Sequence, residues 1–158
     1  MRLSRIRLIT GAAISAELTG TATGSITESD IVDGGMVVVL TLTGDTFVTG
    51  TTSEDGIAAG SDSDKTGANK WDALIKTDLD NTNVVLSGGD TIATITLPAY
   101  ATYDTDETEN ITWTIPAASL TLASELVASP TFSIDIVASG FIPAWAMVAK
   151  QSRILGAR

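Results

Sequence analysis

Apolar and polar residues alternate with a period of two along most of this chain, and short clusters of Gly, Asp, Asn and Ser separate the alternating runs. The run from Met36 to Thr43 reads MVVVLTLT, and the runs from Ile111 to Ile115 and from Phe132 to Ile136 have an apolar residue at every second position. Such alternation is typical of half-buried strands in antiparallel sheets. The pattern predicts an all-β chain of about seven or eight short strands.

Further strands are predicted by the same reasoning over residues 18–26, 46–48, 84–86 and 91–97. A Ser87-Gly88-Gly89-Asp90 turn joins the last two into a hairpin. The Met36–Thr43 run is expected to be a central strand, because its apolar residues occupy both faces near its start. Strands spaced at about 8–12 residues predict a Greek-key β-sandwich.

Three segments depart from the strand pattern. Thr51–Thr66 is rich in Gly, Ser, Thr and Asp, which predicts an exposed loop. Trp71, Leu74 and Ile75 have helical spacing, so we expect one short helix, capped by Thr66 or Asn69, across an open edge of the sandwich. The segment from Pro98 to Asn110 is predicted to be an acidic loop.

The composition excludes many of the side chains that enzymes and metal sites commonly use. The chain has no Cys and no His, so it lacks thiolate ligands, disulfides, the usual zinc ligand and the commonest general base. Aromatic residues make up only 5% of the chain, which favours Trp71 and Trp113 as core residues over a sugar-binding platform. Paired carboxylates such as Asp104 and Asp106 occur without a nucleophile motif or a phosphate-binding loop. We therefore predict no enzymatic activity and no small-molecule substrate.

Charge divides the chain into a body and two arms. The formal net charge is −10, and all nineteen acidic residues lie between Glu17 and Asp135. Six of the nine Lys and Arg residues lie outside that span, at the two ends. An acidic body repels nucleic acid, and no apolar run approaches the length of a membrane helix. We expect a basic and apolar N-terminal arm over 1–14, a sandwich over 15–140 and a similar C-terminal arm over 141–158.

The arms are the predicted partner-binding segments, since they combine apolar and basic residues outside the predicted sandwich. The alternative is that both arms fold back on their own sandwich as extra edge strands. The candidate contact residues are Arg2, Arg5, Ile6, Arg7, Leu8, Phe141, Trp145, Met147, Lys150, Arg153 and Leu155.

Three stretches together carry a family resemblance: TGTATGSITESDIVDGGMVVVLTLTGDTFV, NKWDALIK and TIATITLPAYATYDTDETENITWTIPAASL. They resemble an immunoglobulin-like module found in bacteriophage structural proteins and in some bacterial surface proteins. The resemblance spans roughly residues 19–137 and consists of strand and turn signatures. It implies an immunoglobulin-like sandwich that adheres to other chains, and it implies no chemistry.

Such modules occur as beads in long surface proteins or as small virion components. One module without a cleaved signal peptide or an anchoring motif favours a virion protein made in the host bacterial cytoplasm. We expect a capsid decoration or cement protein whose partners are other virion proteins, such as capsid or tail subunits, and copies of itself. The alternatives are a phage tail or fibre component, a self-assembling filament subunit, and a bacterial surface adhesion module.

Calcium is the one cofactor that the sequence leaves open. Carboxylates and amides cluster near Asp78 and Asp80 and again near Asp104 and Asp106, and calcium prefers hard oxygen ligands. Neither cluster has the spacing of an EF-hand loop. We interpret both as solvated loop tips and keep a calcium site as the alternative.

Overall fold

The computed structural model describes residues 16–22, 26–122 and 129–139, and these residues contain seven strands, three α-helices and two 3₁₀ turns. The strands are β1 (Glu17–Ala22), β2 (Val37–Thr43), β3 (Ser61–Ser63), β4 (Val84–Ser87), β5 (Ile92–Thr96), β6 (Glu109–Thr114) and β7 (Thr131–Ile136). The helices are α1 (Glu28–Asp33), α2 (Thr51–Ala59) and α3 (Trp71–Asp78), and the 3₁₀ turns are Asn81–Asn83 and Ala117–Ser119.

The strands form two antiparallel sheets. The first has four strands in the order β1-β2-β5-β4, and the second has three strands in the order β3-β6-β7. Every pair of neighbouring strands is antiparallel. The mostly β architecture that the alternation predicts is confirmed, and β2 lies inside its sheet, as the Met36–Thr43 pattern indicated.

One hydrophobic core lies between the two sheets, and the period-two pattern determines which side chains enter it. The first sheet contributes Leu18, Val38, Leu40, Leu42, Val84, Ala93 and Ile95. The second contributes Ile111, Trp113 and Ile136, with Phe132 and Ile134 partly buried against the same core. Ile57 of α2 and Ile75 of α3 complete the core from the helices.

The prediction of an exposed loop over Thr51–Thr66 is wrong, because this segment forms α2 and β3. The α2 sequence has little helix propensity, but Ile57 and Ala58 are fully buried. Ser119 donates a hydrogen bond to the Ser53 carbonyl oxygen (2.8 Å), and the Asn81 N–H donates to Asp55 Oδ1 (2.7 Å). Tertiary packing therefore holds a helix that its local sequence does not favour.

The prediction of a single short helix is also incomplete. The helix at Trp71 is confirmed, but it begins after Lys70 without a side-chain cap, so neither Thr66 nor Asn69 caps it. The helix α1 was not predicted. It begins with a capping box in which the Thr27 side chain accepts from the Asp30 N–H while Asp30 accepts from the Thr27 N–H.

Loops and helices close most sides of the two sheets. Next to β1, the backbone at Thr27 forms a parallel bridge with Val137, and the Phe132 ring of β7 packs on Gly20 so closely that no Cβ would fit there. On the opposite side, α3 packs beside β3, and Lys76 forms an ion pair with Asp62 across that contact (3.3 Å). The helix α2 contacts β4, the strand at the other end of the four-stranded sheet.

Candidate functional site

The residues predicted to bind partners lie outside the described part of the chain. All eleven belong to the two arms: Arg2, Arg5, Ile6, Arg7, Leu8, Phe141, Trp145, Met147, Lys150, Arg153 and Leu155. Their role stays a prediction, and the described residues contribute the surfaces that such arms can contact.

The four calcium candidates occupy two separate segments. Asp78 ends α3 and accepts a hydrogen bond from the Tyr100 hydroxyl, while Asp80 caps the following 3₁₀ turn through the Thr82 N–H (2.8 Å). Asp104 and Asp106 lie between β5 and β6, where the Asp104 carbonyl oxygen accepts from Lys70 Nζ (2.8 Å). Within residues 16–22, 26–122 and 129–139, no group of three or more Asp, Glu, His or Cys residues is placed to hold a metal ion.

Glu109, at the start of β6, is the centre of the most extensive buried polar network in the described residues. Its side chain is fully buried, and Oε1 accepts hydrogen bonds from the Trp71 backbone N–H (3.0 Å) and the Ser63 hydroxyl. Its Oε2 accepts from the Tyr103 hydroxyl. The carboxylate therefore joins β6 to β3, to the start of α3 and to the loop before β6.

Most of the Glu109 network is shielded from solvent. Tyr103 is only 2% exposed, and the Trp71 indole N–H donates to the buried Ser61 hydroxyl (3.1 Å) at the edge of the network. Each donor around the carboxylate is satisfied, which removes the usual cost of burying polar groups. We interpret the network as a structural clamp that fixes α3 and the acidic loop on the three-stranded sheet.

The sequence did not reveal this clamp, because Glu109 lies in a segment predicted to be an exposed acidic loop. Tyr103, Thr105 and Glu109 are all buried within that segment. The available signal was the position of Tyr103, an aromatic residue in a chain with few of them, because aromatic residues are rarely left in solvent.

Alkaline pH is expected to destabilise the fold through Tyr103. Burial, together with the hydrogen bond to Glu109, raises the pKa of the Tyr103 hydroxyl well above its usual value of 10.0. Above about pH 10 the unfolded chain ionises this residue and the folded chain does not, so Tyr103 alone lowers stability by about 1.4 kcal/mol per pH unit. Burial and the hydrogen bond to Asp78 raise the pKa of Tyr100 as well, which makes the wild-type slope steeper. Urea denaturation between pH 9 and pH 11 measures the slope.

A Tyr103→Phe variant is the control for this pH effect. We expect it to be less stable at neutral pH, because the hydrogen bond to Glu109 is lost, but to have a shallower slope above pH 10. Tyrosinate absorbance that develops near pH 10 in the folded protein, with the ordinary amplitude for two Tyr residues, would contradict the assignment.

Both tryptophans of the described region are core residues and not a ligand platform. Trp71 and Trp113 are fully buried, and their rings meet edge to face with centroids 5.6 Å apart. The Trp113 indole N–H donates to the Ile57 carbonyl oxygen (3.2 Å). The prediction that these residues pack in the core is confirmed.

The outer face of the four-stranded sheet is almost free of charge. It contains Val, Ile, Thr and Ser at eleven positions and a carboxylate only at Glu17, at its margin. Its residues are Glu17, Thr19, Thr21, Val37, Val39, Thr41, Thr43, Val85, Ser87, Ile92, Thr94 and Thr96. Val85 is 61% exposed, and it is one of two large apolar side chains exposed in the described residues. An uncharged sheet face is suited to contact with another protein chain.

The three Lys residues of the described chain lie next to β3 or at α3, which are not part of the four-stranded sheet. Lys65 forms ion pairs with Asp64 (3.0 Å) and Glu107 (3.2 Å), next to β3 and β6. Lys76 pairs with Asp62, and its hydrogen bond and charge hold the pKa of Asp62 below its usual value. The Lys65 and Lys76 side chains thus lie beside β3 and α3.

Comparison with known proteins found no matching family model, no matching curated protein and no matching solved structure. Among the described helices, none is long and apolar enough to cross a membrane. The basis for a functional assignment is therefore the fold and the charge division between body and arms.

Proposed function

We propose that this chain is a non-enzymatic structural protein of a bacteriophage virion, most specifically a capsid decoration or cement protein, and that it packs on neighbouring subunits through its arms and sheet edges. The observation that carries the proposal is the separation of charge between an acidic sandwich and two basic, apolar arms. The buried clamp and the single core provide a rigid body, and the arms provide contacts.

The strand order supports an immunoglobulin-like version of the sandwich. Constant-type immunoglobulin domains have four strands in the order ABED facing three strands in the order CFG. With letters assigned in chain order, β1-β2-β5-β4 reads ABED and β3-β6-β7 reads CFG. This agreement, together with the resemblance of residues 19–137 to phage modules, favours a Greek-key immunoglobulin-like domain over an unrelated sandwich.

Charge attraction is the proposed basis of assembly. The arm residues Arg2, Arg5 and Arg7 are cationic, and the three Lys residues in the described body are accompanied by many more carboxylates. Opposite charges on neighbouring subunits steer association and make it sensitive to salt. The apolar arm residues then bury surface that charge attraction alone would leave in water.

Reversing the arm charges in the full chain tests this proposal. We expect Arg2→Glu, Arg5→Glu and Arg7→Glu together to abolish the self-association or shell binding of the wild-type chain at low salt. The matched control is Lys65→Glu, Lys70→Glu and Lys76→Glu, which changes the net charge equally but leaves the arms intact. Light scattering measures the mass, and circular dichroism verifies the fold. Equal losses in both variants would contradict a role for the arms.

Immunogold electron microscopy tests the virion assignment itself. Antibodies against the chain are expected to label virus particles released by cells that carry the coding sequence in its native genome. Labelling of the cell surface, with unlabelled particles, would instead favour a bacterial adhesion module.

A further inference from the structure

The contact between α3 and β3 places two carboxylates next to one lysine. Asp62 is the middle residue of β3, and Asp72 is the second residue of α3. Lys76 Nζ lies 3.3 Å from Asp62 Oδ1 and 3.9 Å from Asp72 Oδ1. The strand β3 is at the end of its sheet, so these three side chains lie where a helix meets a sheet edge. Because one cation serves two acidic groups, the cluster has more negative than positive charge.

The Oδ1 atom of Asp72 lacks the partner that a buried carboxylate oxygen needs. It is shielded from solvent, and within residues 16–22, 26–122 and 129–139 it has no hydrogen-bond partner. The Lys76 ammonium, at 3.9 Å, is too distant for a hydrogen bond and attracts this oxygen through charge alone. A buried polar atom without a partner is costly, and a proton bound at this oxygen would turn it into a donor.

The surroundings determine which of the two carboxylates takes up a proton. Burial raises the pKa of Asp72 above its usual value, and the negative charge of Asp62 and a hydrogen bond to Asp62 add to this effect, whereas the charge of Lys76 opposes it. The hydrogen bond from Lys76 and its charge lower the pKa of Asp62. The proton therefore binds to Asp72, and Asp62 stays ionised as its acceptor.

The other charged groups on the elements around α3 are engaged elsewhere. Each forms a hydrogen bond or an ion pair with a group outside the cluster. These groups are Asp64 and Lys65 after β3, Glu54 and Asp55 of α2, and Lys70, Asp78 and Glu109 around the two ends of α3. The charges that act on Asp72 are those of Lys76 and Asp62.

We propose that Asp62, Asp72 and Lys76 form an acid-operated latch between α3 and β3. When the pH falls, Asp72 takes up a proton from solvent at Oδ1 and donates a hydrogen bond to Asp62, while Lys76 keeps Asp62 ionised. The helix is then held to the strand by this hydrogen bond in addition to the ion pair of Lys76 with Asp62. The latch is closed in mild acid and weaker at neutral pH, where the two carboxylates repel each other.

The direction of the pH effect follows from where each group holds its proton more tightly. The folded chain binds the Asp72 proton more tightly than the unfolded chain, so the contribution of Asp72 to stability grows as the pH falls from neutral towards 3.8. It is fully present below that value and is lost as the pH rises through the folded pKa of Asp72. Asp62 has a lowered pKa and weakens the contact only at lower pH, where it is protonated in turn.

Carboxyl-carbon NMR titration of the full chain tests where the proton binds. We expect Asp72 to titrate above its usual value of 3.8, and the Asp62 signal to respond as Asp72 titrates. Lys76→Gln removes the opposing charge and should raise the Asp72 midpoint by about half a pH unit or more. Lys65→Gln, whose partners are other carboxylates, is the matched control and should leave that midpoint unchanged. An Asp72 midpoint at or below 3.8, or an Asp62 signal that does not respond, overturns the latch.

The Asp72→Asn variant gives a second measurement, because its amide can donate to Asp62 at every pH. At pH 7 we expect this substitution to slow hydrogen exchange of the α3 backbone amides by about threefold or more, relative to the same substitution in an Asp62→Ala background. That comparison removes effects of Asp72 that do not involve Asp62, such as its charge near the start of the helix. Asp106→Asn, at an exposed position, is the control and should leave α3 exchange unchanged in both backgrounds. Equal effects of Asp72→Asn in the two backgrounds overturn the latch.

Discussion

Replacement of Glu109 by alanine is expected to destabilise the domain by about 3–5 kcal/mol, because three hydrogen-bond donors, two of them buried, lose their acceptor. The donors are the Trp71 backbone N–H, the Ser63 hydroxyl and the Tyr103 hydroxyl. Each orphaned buried donor costs about 1–3 kcal/mol, and the losses are not fully additive. Urea denaturation followed by circular dichroism measures the change in unfolding free energy.

Glu107→Ala is the matched control for Glu109→Ala, since it removes the same side chain two residues away. Glu107 is exposed and contributes only a surface ion pair with Lys65, so its loss should change stability by less than about 0.5 kcal/mol. Glu109→Gln should fall between the two, because the amide keeps one acceptor and replaces the other by a donor that faces Tyr103. A Glu109→Ala cost below about 1 kcal/mol would show that the network does not act as a clamp.

The hydrogen bonds of the Glu109 clamp also fit the proposed role as a structural protein. A capsid-bound domain needs a body that keeps its shape when arms or edges are pulled by neighbouring subunits. The Glu109 carboxylate holds α3 beside β3, and the fold thereby covers one edge of the three-stranded sheet.

The strands could be predicted from the sequence because one local pattern determines them. In β2, Val38, Leu40 and Leu42 alternate with residues of the outer face, and burial follows that alternation. The same holds for Ile111 and Trp113 in β6. Period two is a property of a strand itself, so it is visible in the sequence.

The helices and the clamp depend on residues distant in the sequence, and this is why they were missed or misplaced. The helix α2 contains Thr, Ser, Asp and Gly, and it is held by Ser119 and Asn81 from later parts of the chain. Glu109 looks like one of several acidic loop residues until β3 and α3 surround it. The exception is α1, whose Thr27-Glu28-Ser29-Asp30 sequence contains a readable capping signal.

The candidate site, too, could be predicted from the sequence only in part. The arms were predicted from charge and composition alone, and their contacts remain predictions because residues 1–15 and 140–158 lie outside the described part of the chain. The β4 edge was predicted as a strand, but its position at the end of a sheet follows from strand order. Strand order depends on pairing between distant segments, which period two does not specify.

Trp113→Ala is expected to cost about 4–5 kcal/mol, a large part of the roughly 5–15 kcal/mol that stabilises a typical domain. Removing a fully buried Trp leaves a large cavity between the sheets. It also removes the edge-to-face contact with Trp71 and one of the two hydrogen bonds that the Ile57 carbonyl oxygen accepts, leaving only the bond from the Gly60 N–H. Urea denaturation followed by circular dichroism measures the loss.

Two variants test whether the loss of stability comes from the cavity at Trp113 or would follow from any substitution in β6. Trp113→Phe keeps an aromatic ring beside Trp71 but loses the indole N–H, so we expect a smaller cost of about 1–3 kcal/mol. Thr114→Ala changes the exposed neighbour on the same strand and should stay within about 0.5 kcal/mol of the wild type. A Trp113→Ala cost below about 2 kcal/mol would mean that the two sheets do not share one tightly packed core. In that case the sandwich would lack the rigidity that the proposed structural role requires.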